Sequence, residues 1–158
     1  SGLLKPDKSG VVIVGGYDGR NGWCDTYAQR RNAHGVPQWT VNGREVRANP
    51  DGNKFRLTLV PDGTGGAIFT YDDDLGGTNN NVYATRIDGP GNLLWTKDIC
   101  TAAGRNWNAS SAQDNSGGAA IVDVIGGSAS IPPTIRNGDA PCRRRPRAQP
   151  ARGSRGEP

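Results

Sequence analysis

The chain has 158 residues, about one average domain, with 34% hydrophobic residues, 24 glycines and 11 prolines. That composition suits many short strands joined by tight turns and excludes a helical bundle. The formal charge of +4 is concentrated after Pro132, where seven arginines face only Asp139 and Glu157; the preceding body is close to neutral, and no nucleic-acid partner is expected.

Residues 1–6 read as an N-terminal edge, followed by a first repeat over 7–61. It opens on the marker Asp7-Lys8-Ser9-Gly10, continues through a strand at Val11–Val14, and turns at Asp18-Gly19-Arg20-Asn21-Gly22. A second strand at Thr26–Arg30, a turn at Asn32–Gly35 and a third strand at Gln38–Val41 follow. The fourth strand is expected at Lys54–Val60, where Phe55, Leu57 and Leu59 alternate with Arg56 and Thr58, the period of a strand with one wet face.

The second repeat, 62–113, has the same order. The turn Asp62-Gly63-Thr64-Gly65-Gly66 precedes Ala67–Tyr71, an apolar segment expected to be covered on both faces. Asp72–Asn81 reads as a polar loop of solvated acids, and Val82–Ile87 as a β-branched and aromatic strand. Asp88-Gly89-Pro90-Gly91 is a strong turn signal. Leu93–Thr96 is a third strand and Asn106–Ser111 a weak fourth. A third repeat starts at Asp114-Asn115-Ser116-Gly117 and is truncated by residue 131. Residues 132–158 are Arg/Pro-rich and too poor in apolar surface to fold, so disorder is expected. Their composition fits an out-of-frame translation of GC-rich DNA, with a natural tail or an arm for an anionic partner as alternatives.

The repeats are in register. Tyr27-Ala28-Gln29-Arg30 with Gly35 and Trp39 recurs 56 residues later as Tyr83-Ala84-Thr85-Arg86 with Gly91 and Trp95. Such a period means supersecondary units that bury their faces against neighbours. Four short antiparallel strands per unit match a β-propeller blade; a β-sandwich would not repeat the same turn and tryptophan in step. The expectation is an all-β chain of antiparallel four-stranded propeller blades, about two and a half of them. A closed propeller needs four to eight, so a longer parent or self-association through unpaired terminal blades is expected.

On these motifs, with Asp25-Thr26-Tyr27-Ala28-Gln29-Arg30 and Gly65-Gly66-Ala67-Ile68 among them, the unit resembles tandem repeats of bacterial secreted and cell-surface proteins. The resemblance covers about residues 7–125 and implies propeller blades in an exported protein, mostly without an enzymatic role. Gly-x-x-x-Trp is also similar, more distantly, to the tryptophan-docking repeat of quinoprotein propellers. The turn there is one residue longer than Asp88–Gly91, and no cofactor constellation accompanies it here.

The shared residues Trp39, Trp95, Tyr27, Tyr83, Gly35 and Gly91, with Arg30 and Arg86, read as scaffold, the tryptophans packing between units. Asp72, Asp73 and Asp74, with Asn79–Asn81, are the candidate calcium ligands, although their spacing is not that of an EF-hand loop. Trp23, beside Arg20 and Asn21 on a hairpin and unmatched in the second repeat, is the candidate sugar-stacking residue; Asp73 is counted with them as a ligand contact. His34 is the one histidine and no catalytic triad can be assembled. Asn108-Ala109-Ser110 is a glycosylation sequon overlapping a strand. Cys24, Cys100 and Cys142 form no CxxC pair and read as free thiols.

No apolar run reaches the roughly 18 residues of a membrane-spanning helix. Three functions fit: a non-catalytic scaffold for protein or glycan contacts, the accessory part of an exported hydrolase, or a sugar- or calcium-binding lectin.

Overall fold

The computed structural model describes residues 2–6, 11–48, 51–75, 77, 80–100, 106–114, 116–125 and 128–130. The 132–158 tail, the Asp7–Gly10 marker, Asn79 and Cys142 lie outside the described residues, as do the side chains of Cys100 and Asn108. Among the described residues there are eleven strands and no helix, in three antiparallel sheets.

Sheet 1 is an up-and-down meander of β1 (Gly2–Pro6), β2 (Val12–Asp18), β3 (Asp25–Arg31) and β4 (Arg44–Arg47). Sheet 2 repeats it with β5 (Lys54–Pro61), β6 (Ala67–Asp73), β7 (Asn81–Ile87) and β8 (Leu93–Cys100). Sheet 3 contains β9 (Asn106–Gln113), β10 (Ala119–Ile125) and β11 (Ser128–Ser130). The segment expected to complete the first repeat, Lys54–Val60, instead hydrogen-bonds to β6 as the first strand of sheet 2. Asn106–Ser111 likewise pairs with β10. Sheet boundaries are thus displaced by one strand from the sequence repeats, and β1 is the first strand of sheet 1.

The expected strand at Gln38–Val41 does not form. Pro37 makes an isolated bridge to Arg31, after which the chain leaves the sheet through a turn with Asn42 and Gly43 at φ 69° and 92°. β4 then supplies the fourth strand. In sheet 2 the same stretch runs straight into β8, so this excursion is specific to sheet 1.

The sheets pack face to face through two apolar clusters. Ile13, Ala28, Trp39 and Val46 of sheet 1 meet Leu57, Leu59, Phe69 and Tyr71 of sheet 2. Ile68, Val82, Ala84 and Ile99 on the opposite face of sheet 2 meet Ala119 and Ile121 of sheet 3. With both faces covered, β6 is buried along its whole length, as its apolar sequence dictates. It continues through Asp73, so Asp72 and Asp73 lie in a buried strand rather than in a solvated loop.

A bulge interrupts β5, where Arg56 and Leu57 together oppose Tyr71 and Arg56 adopts φ 50°. The extra residue resets the alternation, so Phe55 is exposed while Leu57 and Leu59 are buried, against the simple period-2 expectation. Sheet 3 carries a bulge at the same register, between the Trp107–Val124 and Ser110–Val122 pairs. The bulge therefore belongs to the repeat.

Candidate functional site

At one end of the sheets the repeated residues hold turns together. Asp62 Oδ1 accepts hydrogen bonds from the backbone N–H groups of Thr64 (2.8 Å) and Gly66 (2.9 Å), and Asp114 Oδ1 does the same for Ser116 and Gly118 (both 2.8 Å). The marker is an Asx-type turn in the two copies among the described residues. Arg86 donates to Asp62 Oδ2 through Nε (3.1 Å) and a terminal nitrogen (2.9 Å), tying β7 to this turn.

The indole of Trp39 crosses from sheet 1 to sheet 2 and donates to the Gly89 carbonyl at 2.9 Å. Its ring lies against Gly91, which has φ 98°; a Cβ there would sit 2.8 Å from the ring. Gly35, the counterpart of Gly91 with φ 77°, has open space around it. Trp95 sits within β8, half-buried against the second apolar cluster, with the Lys97 ammonium 5.2 Å from its ring centroid. Equal spacing thus puts the two tryptophans in different settings, because only Trp39 rides on the excursion. Gln29 anchors that excursion by accepting from Trp39 N (2.9 Å) and donating to the Thr40 carbonyl (2.9 Å), so a side-chain amide stands in for a missing strand pairing. Tyr83 stacks on Tyr71 at 6.1 Å between centroids. Burial pushes the Tyr71 hydroxyl up to about 12.

The opposite end holds buried charges that the repeats do not share. Lys54 Nζ, fully buried, is 3.1 Å from Asp25 and donates to the Gly52 carbonyl at 2.8 Å. Asp73 faces Arg47 of sheet 1 at 3.6 Å, and Asp72 faces Arg56 at 3.7 Å. Asp74 accepts from Asn53 N at 2.8 Å. The three consecutive aspartates therefore serve three separate partners rather than converging on one point. Among the described residues no group of three or more His, Cys, Asp or Glu side chains is placed to hold a metal ion. A recess of about 570 Å³ opens beside the β5 bulge, lined by Tyr17, Cys24, Lys54, Phe55, Arg56 and Asn80; Cys24 is a free, half-buried thiol. Burial raises the Tyr17 hydroxyl, which accepts the bulge N–H of Leu57 at 2.5 Å.

The sequence candidates on the β2–β3 hairpin separate. Trp23 is exposed at its tip, 40% accessible, and Asp73 lies in the buried interior. Arg20 and Asn21 instead fold back on Tyr27: the Arg20 guanidinium lies 4.2 Å over its ring and Asn21 Nδ2 donates to its hydroxyl at 3.0 Å. Arg20 also pairs with Asp18, whose carboxyl is held below the usual range by that hydrogen bond, and donates to the Asn42 carbonyl at 3.0 Å. This last bond joins the hairpin to the 38–43 excursion. Together they wall a groove of about 510 Å³ on the outer face of sheet 1, floored by Val14, Gly16, Tyr27 and Gln29. Pattern reading missed this groove because it is made by small residues, and absence of bulk leaves no motif. The signal that could have found it is the substitution of Gly16 for Tyr71 and Val14 for Phe69 between copies.

No family model, curated protein or solved structure matches the chain. Its local geometry therefore carries the functional reading.

Proposed function

We propose that the chain is a non-catalytic binding scaffold made of β-propeller blades, part of an exported bacterial protein, that makes protein or glycan contacts through sheet 1. The blade reading is supported by two four-stranded meanders stacked in the same sense, with Trp39 pinning one to the turn of the next. Export rests on the resemblance of the repeat to secreted and cell-surface proteins. One observation carries the binding reading: the Arg20 hairpin, whose Trp23 has no aromatic counterpart in the second repeat, and the 38–43 excursion, which sheet 2 replaces with strand, meet around one groove. Repeated residues build the frame, so contacts belong where the copies diverge.

A glycan array and a set of secreted proteins, each tested with and without calcium, would probe this with the wild type and with Arg20→Ala, Asn21→Ala and Trp23→Ala. Binding should fall in at least one variant while the thermal midpoint holds. Binding unchanged in all three, or hydrolysis of a bound substrate by the chain alone, would refute the proposal.

A further inference from the structure

We infer that the groove on sheet 1 receives an aromatic side chain of a protein partner, flanked in that partner by a carboxylate. This rests on the binding-scaffold reading and names the occupant of its site. The first argument comes from the equivalent face of sheet 2. There Phe69 and Tyr71 lie fully buried under sheet 1, and Tyr71 stacks on its cross-strand partner Tyr83. On sheet 1 the same positions hold Val14 and Gly16, and Gly16 is the cross-strand partner of Tyr27. Among the described residues no sheet packs on this face. The groove lies where two rings are lost beside a tyrosine that kept its place, so a ring is the shape that floor lacks.

The second argument concerns polar groups. Sugar recognition needs several free donors and acceptors converging on one point. Here they are committed to neighbours: Asp18 to Arg20, Arg20 to the Asn42 carbonyl, the Tyr27 hydroxyl to Asn21, and both ends of the Gln29 amide to Trp39 and Thr40. The larger share of what stays open is apolar, with Val41 on the rim 81% exposed. Such a surface gains by burying a ring and gains little from hydroxyls.

The third argument is charge. The groove lining holds Arg20 and Arg31 against Asp18, an excess of one positive charge. Arg31, exposed, replaces the buried Ile87 of sheet 2 and donates to the Gly35 carbonyl at 2.7 Å. A cation on the rim of an apolar slot favours an acidic neighbour to the ring.

The test uses the whole chain and four small probes: capped Asp-Tyr, Asp-Ala and Lys-Tyr dipeptide amides and methyl glucoside, titrated while backbone amide shifts are followed by NMR. Asp-Tyr should move the Val14, Gly16 and Gly43 amides with a dissociation constant of about 1 mM, the range open to a ligand this small. Asp-Ala should bind at least ~10-fold more weakly. Lys-Tyr should bind ~3-fold more weakly, as expected for an exposed charge pair. Val14→Phe and, independently, Gly16→Tyr refill the slot and should each abolish the shifts without lowering the thermal midpoint. The inference fails if Asp-Ala binds as well as Asp-Tyr, or if Val14→Phe folds and leaves the affinity unchanged. Methyl glucoside moving the groove amides would also overturn it, leaving the groove as a site for sugar and the binding-scaffold reading intact. Silence of all four probes would overturn it too, and the hairpin variants would then decide the broader reading separately.

Discussion

In sheet 2 the strand β6 is buried at all seven positions, whereas its counterpart β2 in sheet 1 buries only Ile13 and Gly15. Both come from one repeat and pair with their neighbours in the same register. The difference lies in what each sheet faces. Sheet 2 has partners on two sides and spends Phe69, Tyr71 and Ile87 on one of them. Sheet 1 carries Val14, Gly16 and Arg31 at those positions and turns the loops around them into walls. A frame can thus be copied while the two copies differ on this face by a few side chains and one short excursion.

That contrast breaks most sharply in stability measurements. Tyr71→Ala should cost about 3–5 kcal/mol in denaturant unfolding, since it empties a packed core, while Val14→Ala on the open face should cost under about 1 kcal/mol. Equal losses would mean that the outer face of sheet 1 is as buried as the middle of the stack. Lys54→Met leaves Asp25 buried without its cation and should cost about 3–5 kcal/mol, most of it regained in Lys54→Met with Asp25→Leu. A double variant no better than the single would show that the pair is not what joins the sheets at that end.

The two tryptophans sharpen the comparison further. Trp39→Ala should cost about 3 kcal/mol and Trp95→Ala clearly less, because Trp39 is buried and Trp95 only half-buried. At the paired turns, Gly91→Ala should cost about 2 kcal/mol, combining left-handed strain with the clash against Trp39, and Gly35→Ala about 1 kcal/mol from strain alone. In Trp39→Ala the two glycine substitutions should become nearly equivalent.

The smallest effects depend on pH. The Asp88 carboxyl is held below its ordinary value of 3.8, first by the Asn92 side-chain amide, so its contribution is present above that value and lost as pH falls through the lower folded value. Asp88→Asn should flatten the acid limb of the stability curve slightly. Tyr71 acts in the opposite direction: its folded value of about 12 lies above the ordinary 10.0, so stability is intact below 10 and drains away as pH rises toward 12. Phenolate absorbance in the native state should show a late phase near 12 that Tyr71→Phe removes, with Tyr17 also ionising above the ordinary value; a late phase unchanged in Tyr71→Phe would contradict this.

Much of the frame was legible in the sequence. The Asp62 and Asp114 turns, the apolar β6 core and the Tyr-Ala-x-Arg strands are local signals, carried by residues adjacent in the chain. The misreadings have one cause, partners distant in sequence. Asp72 and Asp73 read as loop acids because Arg56 and Arg47, which face them from the more exposed side, are distant in the chain. β4, a four-residue strand with three charges, has too little apolar alternation to announce itself, and Gln38–Val41 has the composition of a strand but is diverted by Trp39 docking on sheet 2. Of the residues around the groove, Arg20 and Asn21 entered the reading as hairpin neighbours of Trp23, which diverges between copies; the groove floor did not, since Gly16 and Val14 stand out only by their smallness.

The stacking also has a direction. Each sheet presents unlike faces, and the face that sheet 1 turns toward sheet 2 corresponds to the one that sheet 2 turns toward sheet 3. Two chains joined through these surfaces in the same manner cannot be related by a two-fold axis, because the patches in contact differ. The contact is heterologous, and its geometry either closes into a ring or continues as a filament. A residue that blocks the outer face of sheet 1 therefore does more than occupy a groove: it ends the series.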